Sequence, residues 1–118
     1  MVEEAEARSM PLYMLQFAYS HESWAAMLRK PEDRSVAIAS VAKSMGGRLV
    51  SLYYHFGEFD GTAILEAPDD GTANALIFSV VASGSLRSTK TTRLYSPGDF
   101  MEALERAGKS GYQPPGKS

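Results

Sequence analysis

The stretch of residues 53–70 constrains the fold of this chain more than any other part of it. An aromatic run, residues 53–56, leads into a turn of Gly and acidic residues at 57–61. A second apolar run follows at 62–67, and Asp69 then precedes a helical pattern. Two strand-like runs joined by a short Gly-containing turn indicate a β-hairpin, and Asp before an apolar periodic segment indicates a helix start. This stretch therefore predicts a strand–turn–strand–helix unit in a small α+β domain.

Apolar spacing predicts the remaining elements. A first strand at residues 12–19 is followed by two helical pieces, and a last strand at 86–95 by a short helix. The second strand is predicted at residues 48–56 with strict alternation between its faces. One face then carries Val50, Leu52, Tyr54 and Phe56, and the other Leu49, Ser51, Tyr53 and His55. In the terminal helix the spacing predicts that Phe100, Leu104 and Ala107 point inward.

The order βαββαβ with a C-terminal helix predicts an α+β, ferredoxin-like fold with a four-stranded antiparallel sheet. In that fold both long helices cover one face of the sheet. The other face would expose Tyr, Phe and Leu side chains, a patch that favours a partner. A second copy of the chain across a two-fold axis is the simplest partner, and two facing sheets form a dimeric α+β barrel.

Composition limits the function classes. The 118 residues carry a formal net charge of -2, which gives no general reason to bind nucleic acid or an anionic membrane. The sequence contains no cysteine, which excludes disulfides and thiolate chemistry and fits a cytoplasmic location. We expect a single domain at residues 10–107, between a flexible N-terminal extension at 1–9 and a flexible Gly- and Pro-rich tail at 108–118.

Four segments resemble the GYD domain family, small bacterial and archaeal proteins of the dimeric α+β barrel superfamily. The resemblance runs from Met10 to Phe100. Its landmarks are residues 43–49, 56–60, 66–70 and 93–95. The family is named for a Gly-Tyr-Asp element, and this chain carries Gly-Glu-Phe-Asp at 57–60, so phenylalanine replaces the tyrosine. The resemblance implies the fold and self-association, and no particular activity.

His55 is the main candidate for chemistry, because histidine exchanges protons near neutral pH. With Glu58 and Asp60 beside it, His55 could act as a general base towards an acidic C–H or a phenol. Alternatively, it forms a hydrogen bond to the turn at a sheet edge. Glu58 and Asp60 alternate in the turn and could form a paired acid/base site, or could serve the turn itself through backbone hydrogen bonds.

A ligand pocket between sheet and helices is a second expectation. Tyr13, Trp24 and Tyr53 could line it, although such aromatic residues also build cores. Arg87 and Arg93 lie on one face of the last predicted strand and could hold a carboxylate or phosphate. If they face outward they are instead a solvated edge. The alternation of this strand leaves open which of its faces lines the barrel.

These observations predict a homodimeric α+β barrel protein with a small-molecule pocket. One alternative is a cofactor-independent enzyme of the monooxygenase, isomerase or dehydratase type, with His55 as general base. Another is an oligomeric interaction module without catalysis. The sequence has no Gly-rich phosphate loop, dinucleotide fingerprint or metal-ligand spacing, so we expect no cofactor and no metal.

Overall fold

The computed structural model describes residues 10–116, which contain four strands and four helices. The predicted extension at residues 1–9 lies outside the described residues. In chain order the elements are β1 (Leu12–Tyr19), α1 (His21–Arg29), α2 (Arg34–Ser44), β2 (Arg48–Tyr54), β3 (Gly61–Glu66), α3 (Asp70–Ala82), β4 (Leu86–Leu94) and α4 (Pro97–Ala107).

The four strands form one antiparallel sheet in the order β2-β3-β1-β4. Strand β1 lies between β3 and β4, and Leu15 is opposite Ala63 on one side and Thr91 on the other. This order and these directions are those of the split βαβ arrangement. The predicted ferredoxin-like fold is therefore confirmed.

The core lies between the sheet and helices α2 and α3. Leu15, Phe17 and Tyr19 alternate along β1 and are all buried in one cluster. The helices contribute Ala42 from α2 and Leu76 and Ile77 from α3 to this cluster. Because side chains alternate between the faces of a strand, one face of β1 is thereby fixed against the helices.

The opposite face of the sheet is open. Its central row consists of Met14 on β1, flanked by Ile64 on β3 and Thr92 on β4. None of these residues belongs to a core cluster, and all three are only partly buried. The side chains packed on the core come from the other face. The open face predicted from the element order is therefore present in this chain.

Strict alternation along β2 is wrong, because the strand contains a β-bulge. The register shifts between Leu49, opposite Leu65, and Ser51, opposite Ile64. An extra residue in one strand reverses the faces that follow it. Leu49 and Leu52 consequently both pack against the core. The strand also ends at Tyr54, two residues early, and Phe56 beyond it is 99% exposed.

Helix α4 does not direct its apolar residues inward, contrary to the expectation from its spacing. Phe100 is 60% exposed and Leu104 49% exposed, and the helix has no buried residue. It follows an edge strand, and it packs extensively against no other element of residues 10–116. The apolar side of this amphipathic helix is therefore exposed on the surface of the chain.

Gly47, between α2 and β2, lies so close to the backbone of β3 that only glycine fits there. A Cβ atom at this position would lie 2.1 Å from the backbone oxygen of Glu66. We expect Gly47→Ala to lower the free energy of unfolding by about 1–3 kcal/mol, because neighbouring backbone must shift. Urea denaturation measures the change. Gly98→Ala is the control, since its Cβ would meet nothing closer than 3.7 Å. Equal stability of both variants would contradict this account.

Candidate functional site

A cleft of about 320 Å³ opens where β1 ends, between helix α1, the start of α2 and the end of β2. Its wall combines aromatic rings with polar and charged side chains. Strand β1 contributes Tyr19 and helix α1 contributes Trp24. Residues 54–56 and Asp60 also line the cleft. This volume is at the lower end of the range that small-molecule sites occupy.

Three aromatic rings form one wall of the cleft. The rings of Tyr19 and Trp24 meet edge to face, with centroids 5.5 Å apart. The Tyr19 and Tyr54 rings stack at 6.5 Å, and their hydroxyl oxygens are 3.3 Å apart. Burial, together with the Tyr54 hydroxyl, raises the pKa of Tyr19 well above its usual value. Tyr19 is therefore a neutral phenol that contacts both other rings of the wall.

His55 and Asp60 are brought together at the cleft, as their sequence proximity suggested. The His55 imidazole Nε2 is 2.7 Å from the Thr62 hydroxyl, and the His55 backbone N–H donates to the Asp60 carbonyl at 2.8 Å. Asp60 Oδ2 accepts a hydrogen bond from the Tyr19 backbone N–H at 2.8 Å. Both residues thus support the turn while also lining the cleft.

Charged residues before and in the first turn of α2 complete the cleft. Arg34 forms a 2.8 Å ion pair with Glu32. Asp33 is the N-cap of α2, and its Oδ1 accepts from the Ser35 backbone N–H at 2.9 Å and from the Ser35 hydroxyl. These bonds lower the pKa of the Asp33 carboxyl. The sequence analysis missed all three residues; only the capping Asp-x-Ser pattern at 33–35 marks them, and it signals a helix start.

A second, smaller cavity of about 90 Å³ lies between the sheet and helices α2 and α3. Its lining is almost entirely apolar, from residues such as Leu15, Ile38 and Leu76. Tyr19 and Arg34 line both this cavity and the cleft. The Tyr19 ring therefore lies between a polar entrance and an apolar interior.

The other predicted site residues lie away from the cleft. Glu58 is exposed in the turn, and Tyr53 is 71% exposed on the open face, opposite Thr62. Arg87 is exposed on β4. Tyr13, near the start of β1, and Arg93, opposite it on β4, lie at the far end of the sheet on the helix-covered face. Of the predicted ligand-binding residues, only Trp24 lies with His55 and Asp60.

Tyr13 and Arg93 form a separate cluster with Asp70, the first residue of α3. The Tyr13 hydroxyl donates to Asp70 Oδ1 at 2.5 Å, and the Arg93 guanidinium is 3.7 Å from the same oxygen. Arg93 also lies over the rings of Tyr13 and Tyr95, 5.7 Å and 4.8 Å from their centroids. This arrangement attaches the start of α3 to the sheet and answers the question that alternation left open: Arg93 is on the helix side of β4.

Alkaline pH should destabilise the domain through Tyr13. Burial, and next the Asp70 carboxylate, raise the pKa of Tyr13 from 10.0 to about 12. The phenol ionises at lower pH in the unfolded chain, so its contribution is complete below pH about 10 and is lost as the pH rises towards 12. Urea unfolding at pH 9 and pH 11 should show a smaller loss for Tyr13→Phe than for the wild type. Tyr112→Phe, which changes a tyrosine that is 74% exposed in the C-terminal tail, should lose as much as the wild type. The same loss in all three proteins would refute the assignment.

Within residues 10–116, no group of three or more His, Asp or Glu residues converges as metal ligands. None of the helices in this part of the chain is long and apolar enough to cross a membrane.

A family model for the GYD domain matches residues 13–104. The chain belongs to the GYD domain family. In this GYD protein the Gly-Glu-Phe-Asp element at 57–60 closes the β2–β3 connection. Phe59, at the aromatic position of the element, is 8% exposed, and the Asp60 backbone N–H donates to the Phe17 carbonyl at 2.8 Å. The element therefore anchors the connection onto β1 and sets Asp60 beside the cleft.

Solved structures with a similar fold include an AsnC family transcriptional regulator from Agrobacterium tumefaciens. The TM-score is 0.53 and the sequence identity 12%, over 81% of this chain and 57% of that protein. A second similar structure, MtbAldR, has a TM-score of 0.51 and 12% identity, over 76% of this chain and 56% of that protein. This GYD protein thus spans a little over half the length of each, and identity this low shows the fold alone. No curated protein matches the sequence.

Proposed function

We propose that this GYD protein is a homodimeric α+β barrel that binds a small molecule in the cleft at the end of β1. The observation that carries the proposal is the cleft itself, in which residues His55 and Asp60 lie beside an aromatic wall in about 320 Å³. Apolar walls with a few converging polar groups are typical of ligand sites. The binding set is then Trp24, Tyr19 and Tyr54 with His55 and Asp60. We assign Tyr13 and Arg93 to structure, since both engage Asp70.

Two uncovered surfaces support self-association. The open face carries a partly buried row of Met14, Ile64 and Thr92, and helix α4 exposes Phe100, Met101 and Leu104. Apolar surface of this kind favours association. In a dimer with two-fold symmetry, each of these surfaces would pack against the same surface of the second copy. The cytoplasmic location expected from the lack of cysteine stays a prediction.

Native mass spectrometry of the protein purified gently from its own host tests the proposal. We expect a species of twice the 12.8 kDa chain mass that carries an additional small mass. Trp24 is the only tryptophan, so its fluorescence should change when that compound is removed and restored. The control compares the native and denatured masses of Trp24→Phe. An additional mass that this variant retains unchanged would be bound elsewhere than in the cleft. A protein that never retains a small mass, and whose Trp24 emission responds to no compound, would refute ligand binding in the cleft.

Catalysis by His55 is the second candidate function, favoured by one contact. The Thr62 hydroxyl, 2.7 Å from Nε2, fixes the orientation of the His55 imidazole, as a general base requires. Asp60 is the residue that assists His55 in this proposal. The other candidates for that role, Tyr53 and Glu58, are exposed and lie away from the cleft. Once the bound compound is known, its turnover by the wild type and by His55→Gln decides between the two. Binding without turnover in either would leave a binding protein.

A further inference from the structure

We propose that the cleft selects an organic cation, namely a primary or quaternary ammonium group attached to a small apolar body. This inference rests on the proposed ligand-binding function and names the chemical class of the ligand. Two independent features lead to it: the balance of charge around the cleft and the aromatic wall.

The charged side chains at the cleft favour a positive ligand. Glu32, Asp33 and Asp60 are three carboxylates, and Arg34 is the only guanidinium, which gives a formal net charge of -2 with His55 neutral. Arg34 is already engaged by Glu32 at 2.8 Å. An anionic ligand would meet an excess of negative charge and a guanidinium that already has a partner. A neutral apolar ligand would remove water from carboxylates without replacing their interactions, which is costly.

The aromatic wall provides the second recognition element. A cation over the face of a Trp or Tyr ring is attracted by the electron density of the ring, most strongly for Trp. Tyr19 is 6% exposed and supports the two exposed rings beside it, meeting Trp24 edge to face at 81° and stacking on Tyr54. Trp24 is 44% exposed and Tyr54 52% exposed, which leaves both accessible to a ligand.

The position of Asp60 links the two features. Its Oδ2 is fixed by the Tyr19 backbone N–H at 2.8 Å, and it lines the cleft beside the ring that Tyr19 contributes. A carboxylate held at an aromatic wall can neutralise an ammonium group while the rings contact its methyl or methylene groups. The cleft volume of about 320 Å³ suits a ligand with one ring or a short branched chain.

The test compares probes of the same shape and different charge. Choline is set against its uncharged analogue 3,3-dimethyl-1-butanol, and phenethylamine against 2-phenylethanol and 3-phenylpropionate. Binding to the full chain is followed by Trp24 fluorescence. We expect each cation to bind at least roughly tenfold more tightly than its uncharged analogue, the order of effect of one charge pair at a partly buried site.

Variants locate the effect. Asp60→Asn should remove most of the preference for the cation, whereas Glu58→Gln, in the same turn and exposed, should retain it. Glu32→Gln tests a second carboxylate of the cleft. If Asp60→Asn does not fold, the comparison of probes on the wild type still decides whether the cleft prefers cations. Equal or tighter binding of the uncharged or anionic probes would overturn the inference and leave ligand binding intact. Absence of binding by every probe overturns it as well, and the native mass measurement then shows separately whether the cleft holds any ligand.

Discussion

Replacing Phe17 by alanine should lower the free energy of unfolding by about 3–5 kcal/mol, the usual cost of deleting a buried aromatic ring. Phe17 on β1 is 2% exposed, and its ring meets Tyr19 and Tyr54 edge to face, at centroid distances of 5.3 Å and 6.3 Å. Domains of this size are stable by only about 5–15 kcal/mol, so the variant should be close to unfolding.

Gly61 makes the loss at Phe17 hard to repair. A Cβ atom on Gly61 would lie 2.4 Å from the Phe17 ring, so the ring occupies the space that this glycine leaves free. The β3 backbone that surrounds the resulting cavity is fixed by pairing on both sides. The site therefore cannot collapse easily, which places the expected cost towards the upper end of the range.

Urea denaturation followed by Trp24 fluorescence measures the effect of Phe17→Ala, at one protein concentration because self-association would add to the apparent stability. Phe78→Ala on α3 removes a ring that is 68% exposed, and it should change stability by less than about 0.5 kcal/mol. If Phe17→Ala cost no more than Phe78→Ala, the assignment of Phe17 to the centre of the core would be wrong.

Local signals allowed much of this fold to be predicted. Ser20, Asp69 and Ser96 each cap the helix that follows by accepting a backbone N–H bond, as their side chains favour. The apolar spacing of α3 places Leu76 and Ile77 in the core. These features depend on a few neighbouring residues, and sequence patterns report such short-range interactions directly.

The errors arose where distant parts of the chain decide the structure. The bulge in β2 is set by its pairing with β3, and alternation along β2 alone carries no sign of it. The exposure of Phe100 and Leu104 has the same origin, because an amphipathic helix has the same pattern whether its apolar side faces its own core or a partner. Neither outcome could be read from local spacing.

The candidate site was predictable only in part. His55 and Asp60 are close in sequence and lie together, whereas Glu32 and Arg34 reach the same cleft from the start of helix α2. Tyr13 and Trp24, grouped as pocket residues, lie near opposite ends of β1, because Tyr13 is at its start and Trp24 contacts Tyr19 at its end. Tyr13 and Trp24 were grouped because both are aromatic, but the length of β1 lies between them.

A charge placed on the open face of the sheet should prevent two copies of the chain from associating through it. Ile64 lies there, opposite Met14 and Ser51, while its neighbours Ala63 and Leu65 are buried in the core. If two open faces meet across a two-fold axis, Ile64→Asp places an unpaired carboxylate in each half of the interface. Burial of an unpaired charge costs several kcal/mol. At about 1.4 kcal/mol for each tenfold change, the dimer dissociation constant should rise by roughly 100-fold or more.

Size-exclusion chromatography with light scattering measures this directly. The wild type should have twice the 12.8 kDa chain mass, and Ile64→Asp the mass of a single chain at micromolar concentration. Val36→Asp introduces the same charge on α2, where the valine is 68% exposed and lies away from the open face, and it should stay dimeric. Because Ile64 is outside the core clusters, far-ultraviolet circular dichroism of Ile64→Asp should match the wild type. A dimer that withstands this charge must be built on another surface, and the exposed side of helix α4 would then be the first to substitute.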